Sequence, residues 1–147
     1  MLDNSYYINL INRIIGLCAE NNIQYIVELY TEITDNKIIV SPNHPGILNR
    51  IDKDLVIDPK NNKLDEFDGI PNLIKYINED VLNTFDRMVN CDILITSKSS
   101  YSTCASYLKN GISIYSKFWH RMLNKDIECM DKKLDDKIDL FLKKNIN

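Results

Sequence analysis

The residues best suited to chemistry crowd between Thr96 and Thr103, where Ser97, Ser99, Ser100 and Ser102 complete a set of six hydroxyl side chains with Lys98 among them. They follow "DILIT", an apolar run of strand length, and precede Tyr101, Cys104, Ala105 and Leu108, spaced as one face of a helix. "ISIYS" then reads as the next strand. Strand, hydroxyl loop, helix and strand make a βαβ unit, whose crossover is right-handed and whose strands lie parallel. Ligands of such sheets bind beyond the carboxyl ends of the strands, where this loop falls. A helix starting near Ser99 and Ser100 leaves backbone N–H groups free and carries a partial positive charge, which favours phosphate. Hydroxyls add donors, and Lys98 adds a full charge. One serine before a helix is ordinarily an N-cap that needs no ligand. Ser97, Ser99, Ser100, Ser102 and Thr103 together exceed that need, so the predicted phosphate cradle is Ser97, Lys98, Ser99, Ser100 and Ser102.

Several other elements must position this loop. Tyr7, Leu10, Ile11, Ile14, Ile15 and Cys18 predict an amphipathic helix over 6–20 that stops at Asn21-Asn22. "IQYIVELYTE" has the β-branched and aromatic content of a strand buried on both faces. The stretch from Ile33 to Asn72 is rich in Pro, Asn and Asp and reads as loops around short elements at Lys37 to Val40 and Leu55 to Ile57. Asn78 is the expected cap of a helix carrying Val81, Leu82, Phe85, Met88 and Val89, with Glu79 and Asp80 at its positive end. Asn110-Gly111 is expected to end the helix after the serines in a left-handed conformation. Leu134, Ile138, Phe141 and Leu142 mark a charged C-terminal helix. The fold class is α/β: a single Rossmann-like domain over 1–147 with a parallel sheet and helices on both faces.

The 147 residues, 44% hydrophobic and 27% charged, have the size and composition of one globular domain. A net charge of -3 gives no electrostatic attraction for nucleic acid. No basic leader or long apolar span is visible, so a soluble, cytoplasmic protein without a membrane span is expected. Cys18, Cys91, Cys104 and Cys129 lack metal-binding spacing and read as reduced thiols, with Cys18 and Cys104 on apolar helical faces. With His44 and His120 the only imidazoles, no metal site is expected.

"DILITSKSSYSTCASYLKNGISIY" resembles the C-terminal, donor-binding part of glycosyltransferases related to the α-1,2- and α-1,6-fucosyltransferases, which have the two-domain GT-B architecture. Relatives place an acidic residue and an apolar strand before a Ser-x-Ser-Ser-Phe-Ser-like loop; here these are Asp92, Ile93 to Thr96, Ser97, Ser99, Ser100, Tyr101 and Ser102. "IYSKFWH", "NEDVLNTFDRMVNCD" and "VELYTE" are similar to segments of viral and bacterial members. The resemblance implies half of a GT-B fold, holding the diphosphate of a nucleotide sugar, with a GDP-sugar as the candidate, against Ser99 and Ser100 with no cofactor or metal. It implies that Glu32 touches the ribose or base; as a residue alone, Glu32 reads equally as a solvated loop acid. Tyr101 stands where the family has Phe and is expected to pack under the loop. Trp119 and His120 are candidates to line the pocket or to close the edge of the core. The family's His-x-Arg-Arg-Gly-Asp-like motif is missing, and with it the arginine that stabilises the departing diphosphate. The resemblance therefore implies a domain not active alone, whose acceptor site comes from a second domain or subunit, and leaves the catalytic base unknown. A non-catalytic sugar-phosphate-binding domain of the sugar isomerase type is the alternative, although its loop, "SxSGxT", has glycine where Ser100 and Tyr101 stand.

Overall fold

In the computed structural model of the chain, residues 3–33, 38–40, 55–57, 63–118 and 120–146 are described. Helix α1 (Asn4–Glu20) starts where the Asp3 carboxylate accepts from the Ser5 N–H at 2.9 Å, and Asn22, at φ 56°, turns the chain away beyond its end. Strand β1 (Val27–Thr31) follows, then the antiparallel pair β2 (Ile38–Val40) and β3 (Leu55–Ile57) and a 3-10 turn, Leu64–Phe67. Strand β4 (Leu73–Ile77) pairs parallel with β1, Tyr30 opposite Tyr76. Helix α2 (Val81–Asn90) leads to β5 (Ile93–Ile95), helix α3 (Ser100–Leu108) and β6 (Ile112–Tyr115). Strand β7 (Ile127–Glu128) and helix α4 (Leu134–Asn145) complete the order.

Strands β5, β6 and β7 form a parallel sheet in that order, so the βαβ unit around the serine loop is present. The molecule is α/β with small parallel sheets, compatible with a Rossmann-like fold. Among the described residues β1–β4 and β5–β6–β7 are separate ladders rather than one continuous sheet.

Side-chain alternation explains the layers. Ile93 and Ile95 of β5 and Ile112 and Ile114 of β6 point to one face, where Leu10 and Cys18 of α1 and Leu134, Ile138 and Leu142 of α4 close over them. Arg13 pairs with Asp135 at 2.7 Å and the Asn21 amide donates to Asp139 at 2.8 Å, tying α1 to α4. Leu94 and Ser113, also buried, point to the opposite face; the right-handed rule for parallel crossovers assigns α3 to that side.

Five expectations are corrected. Strand β1 is half-buried along its length rather than buried on both faces, because among the described residues its sheet has two strands. Asp80, not Asn78, caps α2, accepting from the Leu82 and Asn83 N–H groups at 3.0 Å each. Asn78 has φ 54° and its side chain accepts from the Ile33 N–H, so it turns the chain out of a strand, β4, that the sequence reading left unassigned. Cys104 is exposed: the buried face of α3 is Ser102, Thr103, Ala105 and Ser106. Gly111 does not end α3 with a left-handed turn, since no described glycine has positive φ; it is small because a Cβ there would lie 2.0 Å from the Asp92 carbonyl oxygen.

Candidate functional site at the start of helix α3

Strand β5 runs out at Thr96, a buried residue whose N–H bonds the Ile114 carbonyl at 2.9 Å and keeps the chain on the sheet. The backbone then lifts over Ser97 and Lys98, both exposed, to Ser99, whose extended conformation (φ −135°, ψ 148°) makes it the N-cap of α3. Its hydroxyl oxygen accepts from the Ser102 N–H at 3.2 Å.

The hydroxyls of the loop divide into two groups. Ser97, Ser99 and Ser102 form a triangle with oxygen separations of 3.0 to 3.2 Å. One proton assignment satisfies it: Ser97 donates to Ser99, Ser99 to Ser102, and Ser102 to the Ser97 carbonyl at 3.0 Å. Ser99 then accepts twice and donates once, which uses its bonding capacity. Ser102 is 1% exposed and faces inward, and Thr103 donates to the Ser99 carbonyl at 2.9 Å. Ser99 and Ser102, expected to meet a diphosphate, are thus spent on closing the turn. Their capacity went to the backbone because a loop this short must satisfy its own polar groups as it enters the helix.

The second group faces outward. Ser100 is exposed, and its Oγ lies 3.0 Å from Nε2 of His120. The Phe118 ring packs at 5.7 Å from the imidazole, and the Tyr107 hydroxyl donates to the Arg121 carbonyl at 2.6 Å, holding the segment after β6 against α3. Among the described residues, no acceptor takes the Ser100 or Tyr101 N–H, the first two of the helix. Trp119 lies outside the described residues.

Tyr101, expected to pack under the loop, packs against α2 instead: its ring lies 5.5 Å from Phe85 and its hydroxyl donates to the Val81 carbonyl. Its phenol is pushed above the ordinary range by burial first, then by the carboxylates of Glu32 and Asp80. Glu32 is exposed beyond the end of β1, and its charge reaches the Tyr101 phenol. Among the described residues, two cavities lie away from this loop: one of about 360 Å³ is lined by Leu17, Asn21 and Asp139, and one of about 640 Å³ by Tyr25, Ile26 and Ile74.

A second cluster was not anticipated from the sequence. On the α2 side of β1–β4, Tyr30 and Tyr76 stack at 5.1 Å, and both phenols donate to Glu28, at 2.5 and 3.3 Å. Arg87 of α2 lies 4.7 Å over the Tyr76 ring and contacts Glu28 at 3.4 Å and Glu79 at 3.6 Å. The signal was present: Glu28 and Tyr30 alternate on one face of β1, and Tyr76 is the register partner of Tyr30. With two carboxylates around it, Arg87 fastens α2 to the sheet and is not an arginine held ready for a diphosphate. Among the described residues no group of three His, Cys, Asp or Glu side chains could hold a metal ion, and no helix is long and apolar enough to cross a membrane.

No protein-family model, curated protein or solved structure matches the chain.

Proposed function

We propose that the chain is the donor-binding half of a nucleotide-sugar glycosyltransferase, holding a diphosphate at the start of α3 and inactive until a second domain or subunit supplies the acceptor site and the missing arginine. The observation that carries this reading is the helix start itself. It lies beyond the carboxyl end of a parallel strand, with two N–H groups lacking an acceptor among the described residues and with Ser97, Lys98 and Ser100 exposed around them. In this reading Glu32 meets a ribose hydroxyl. In this reading the site is a surface rather than a pocket because its other wall belongs to the partner. The hydroxyl triangle supports a second reading, in which the serines only build the turn: Ser99 and Ser102 have no capacity left for a ligand.

Calorimetry with GDP, UDP and hexose phosphates separates the readings. Binding of a nucleoside diphosphate supports the donor-binding domain, binding of hexose phosphate alone supports a sugar-phosphate-binding domain, and silence supports the structural role. If a diphosphate binds, the double variant Ser97→Ala/Ser100→Ala should lose about 1 to 3 kcal/mol of affinity, the scale of hydrogen bonds to a charged group. Ser99 is unsuitable for this test, because removing an N-cap costs about 1 kcal/mol of helix stability whether or not a ligand binds.

A further inference from the structure

We propose that Ser100 and His120 form a nucleophile–base pair able to cleave small activated esters. This does not rest on the nucleotide-sugar reading. The pair has three of the features such a site needs. Ser100 Oγ is exposed and lies 3.0 Å from His120 Nε2, within the range over which an imidazole takes a hydroxyl proton. His120 is held there from outside the pair: the Phe118 ring lies against it, and Tyr107, two turns along the helix that carries Ser100, bonds the carbonyl of the next residue, Arg121. The Ser100 and Tyr101 N–H groups, without an acceptor among the described residues, stand beside the nucleophile as donors for an oxyanion.

With the imidazole proton on Nδ1, Nε2 accepts the Ser100 proton as Oγ bonds to the carbonyl carbon of the ester. The carbonyl oxygen becomes the oxyanion of a tetrahedral intermediate. Its collapse breaks the bond to the leaving alcohol, which takes the proton back from Nε2, and an acyl-serine remains. Water, giving its proton to the same nitrogen, then displaces the acyl group as a carboxylic acid and returns Ser100 to its starting state.

The test is covalent labelling of the intact chain with a fluorophosphonate probe, read by mass, with hydrolysis of p-nitrophenyl acetate alongside. One probe adduct is expected on Ser100 and none in Ser100→Ala. His120→Gln should label about a hundredfold more slowly, the scale of a lost general base. Cys104 is an exposed thiol one turn along the same helix, and Cys104→Ser should label at the wild-type rate, which separates serine from thiol chemistry. No adduct on the wild-type chain, an adduct that survives Ser100→Ala, or an undiminished rate in His120→Gln would each overturn the proposal. None of these results bears on nucleotide binding by calorimetry, so the two readings fail independently.

Discussion

At the scale of single residues, hydroxyls of one chemical type take different roles according to which backbone groups lie within reach. Ser102 turns in and Ser100 turns out although both belong to the first turn of α3, because only Ser102 reaches the Ser97 carbonyl. Lys109 shows how far local geometry can override type. It is 1% exposed, and its Nζ donates to the Cys91 and Asp92 carbonyls at 2.6 and 3.1 Å. Burial pulls its pKa below the ordinary 10.5, and Lys125 adds to that pull, while Cys91, Asp92 and Asp126 oppose it. The unfolded chain therefore binds more protons than the folded one between the lowered value and 10.5, so this group's contribution to stability grows as pH rises through that window and is lost as pH falls. Relative to Lys109→Met, the wild-type chain should gain stability as pH approaches 10.5, read as the difference in thermal midpoint between the two across a pH series. A constant difference would mean that Lys109 titrates as in the unfolded chain.

Among elements, the contacts that decide the βαβ unit are close approaches rather than large apolar surfaces. Helix α3 buries Ser102, Thr103, Ala105 and Ser106, and the chain re-enters the sheet through Gly111, where an added Cβ would meet the Asp92 carbonyl oxygen at 2.0 Å and Lys109 Nζ at 2.5 Å. The lysine tip can move aside; the carbonyl cannot, since it accepts from the Ile112 N–H at 3.1 Å as the β5–β6 pairing begins. Gly111→Ala should cost about 1 to 3 kcal/mol, the scale of overpacking, measured by urea denaturation. A loss below a few tenths would show that β5 and β6 separate easily. The same logic explains β4: Asn72 and Asn78, at φ 56° and 54°, bracket a five-residue strand. Two asparagines around "LIKYI" were the visible mark of that strand, but the sequence reading began the next element at Asn78 and left the five residues before it unassigned.

For the molecule as a whole, stability rests on the packing of α1 and α4, side by side, against one face of the β5–β6–β7 sheet. Ile138 is fully buried in that cluster with Ile114 and Leu134. Ile138→Ala should cost about 2 to 5 kcal/mol in chemical denaturation. The β1–β4 ladder lies outside that cluster and is fastened to α2 through Arg87, Glu28 and Tyr76. Fluorescence and far-ultraviolet transitions that coincide in Ile138→Ala would show that loss of the cluster unfolds the chain as one unit. Transitions that separate would show that β1–β4 survives it.

What the sequence determined by itself is whatever short-range periodicity encodes: the extents of α1, β5, α3, β6 and α4, and the parallel βαβ unit, because apolar spacing and a short crossover leave few alternatives. It also marked the serine loop as the place where polar groups gather. Only the tertiary structure decided what those groups do. Whether a hydroxyl meets solvent, a carbonyl or another hydroxyl depends on distances of about 3 Å that one rotation of the helix start changes. The Ser100–His120 pair, the buried Lys109 and the Arg87 cluster each join residues from separate elements, and their meeting follows from how those elements pack.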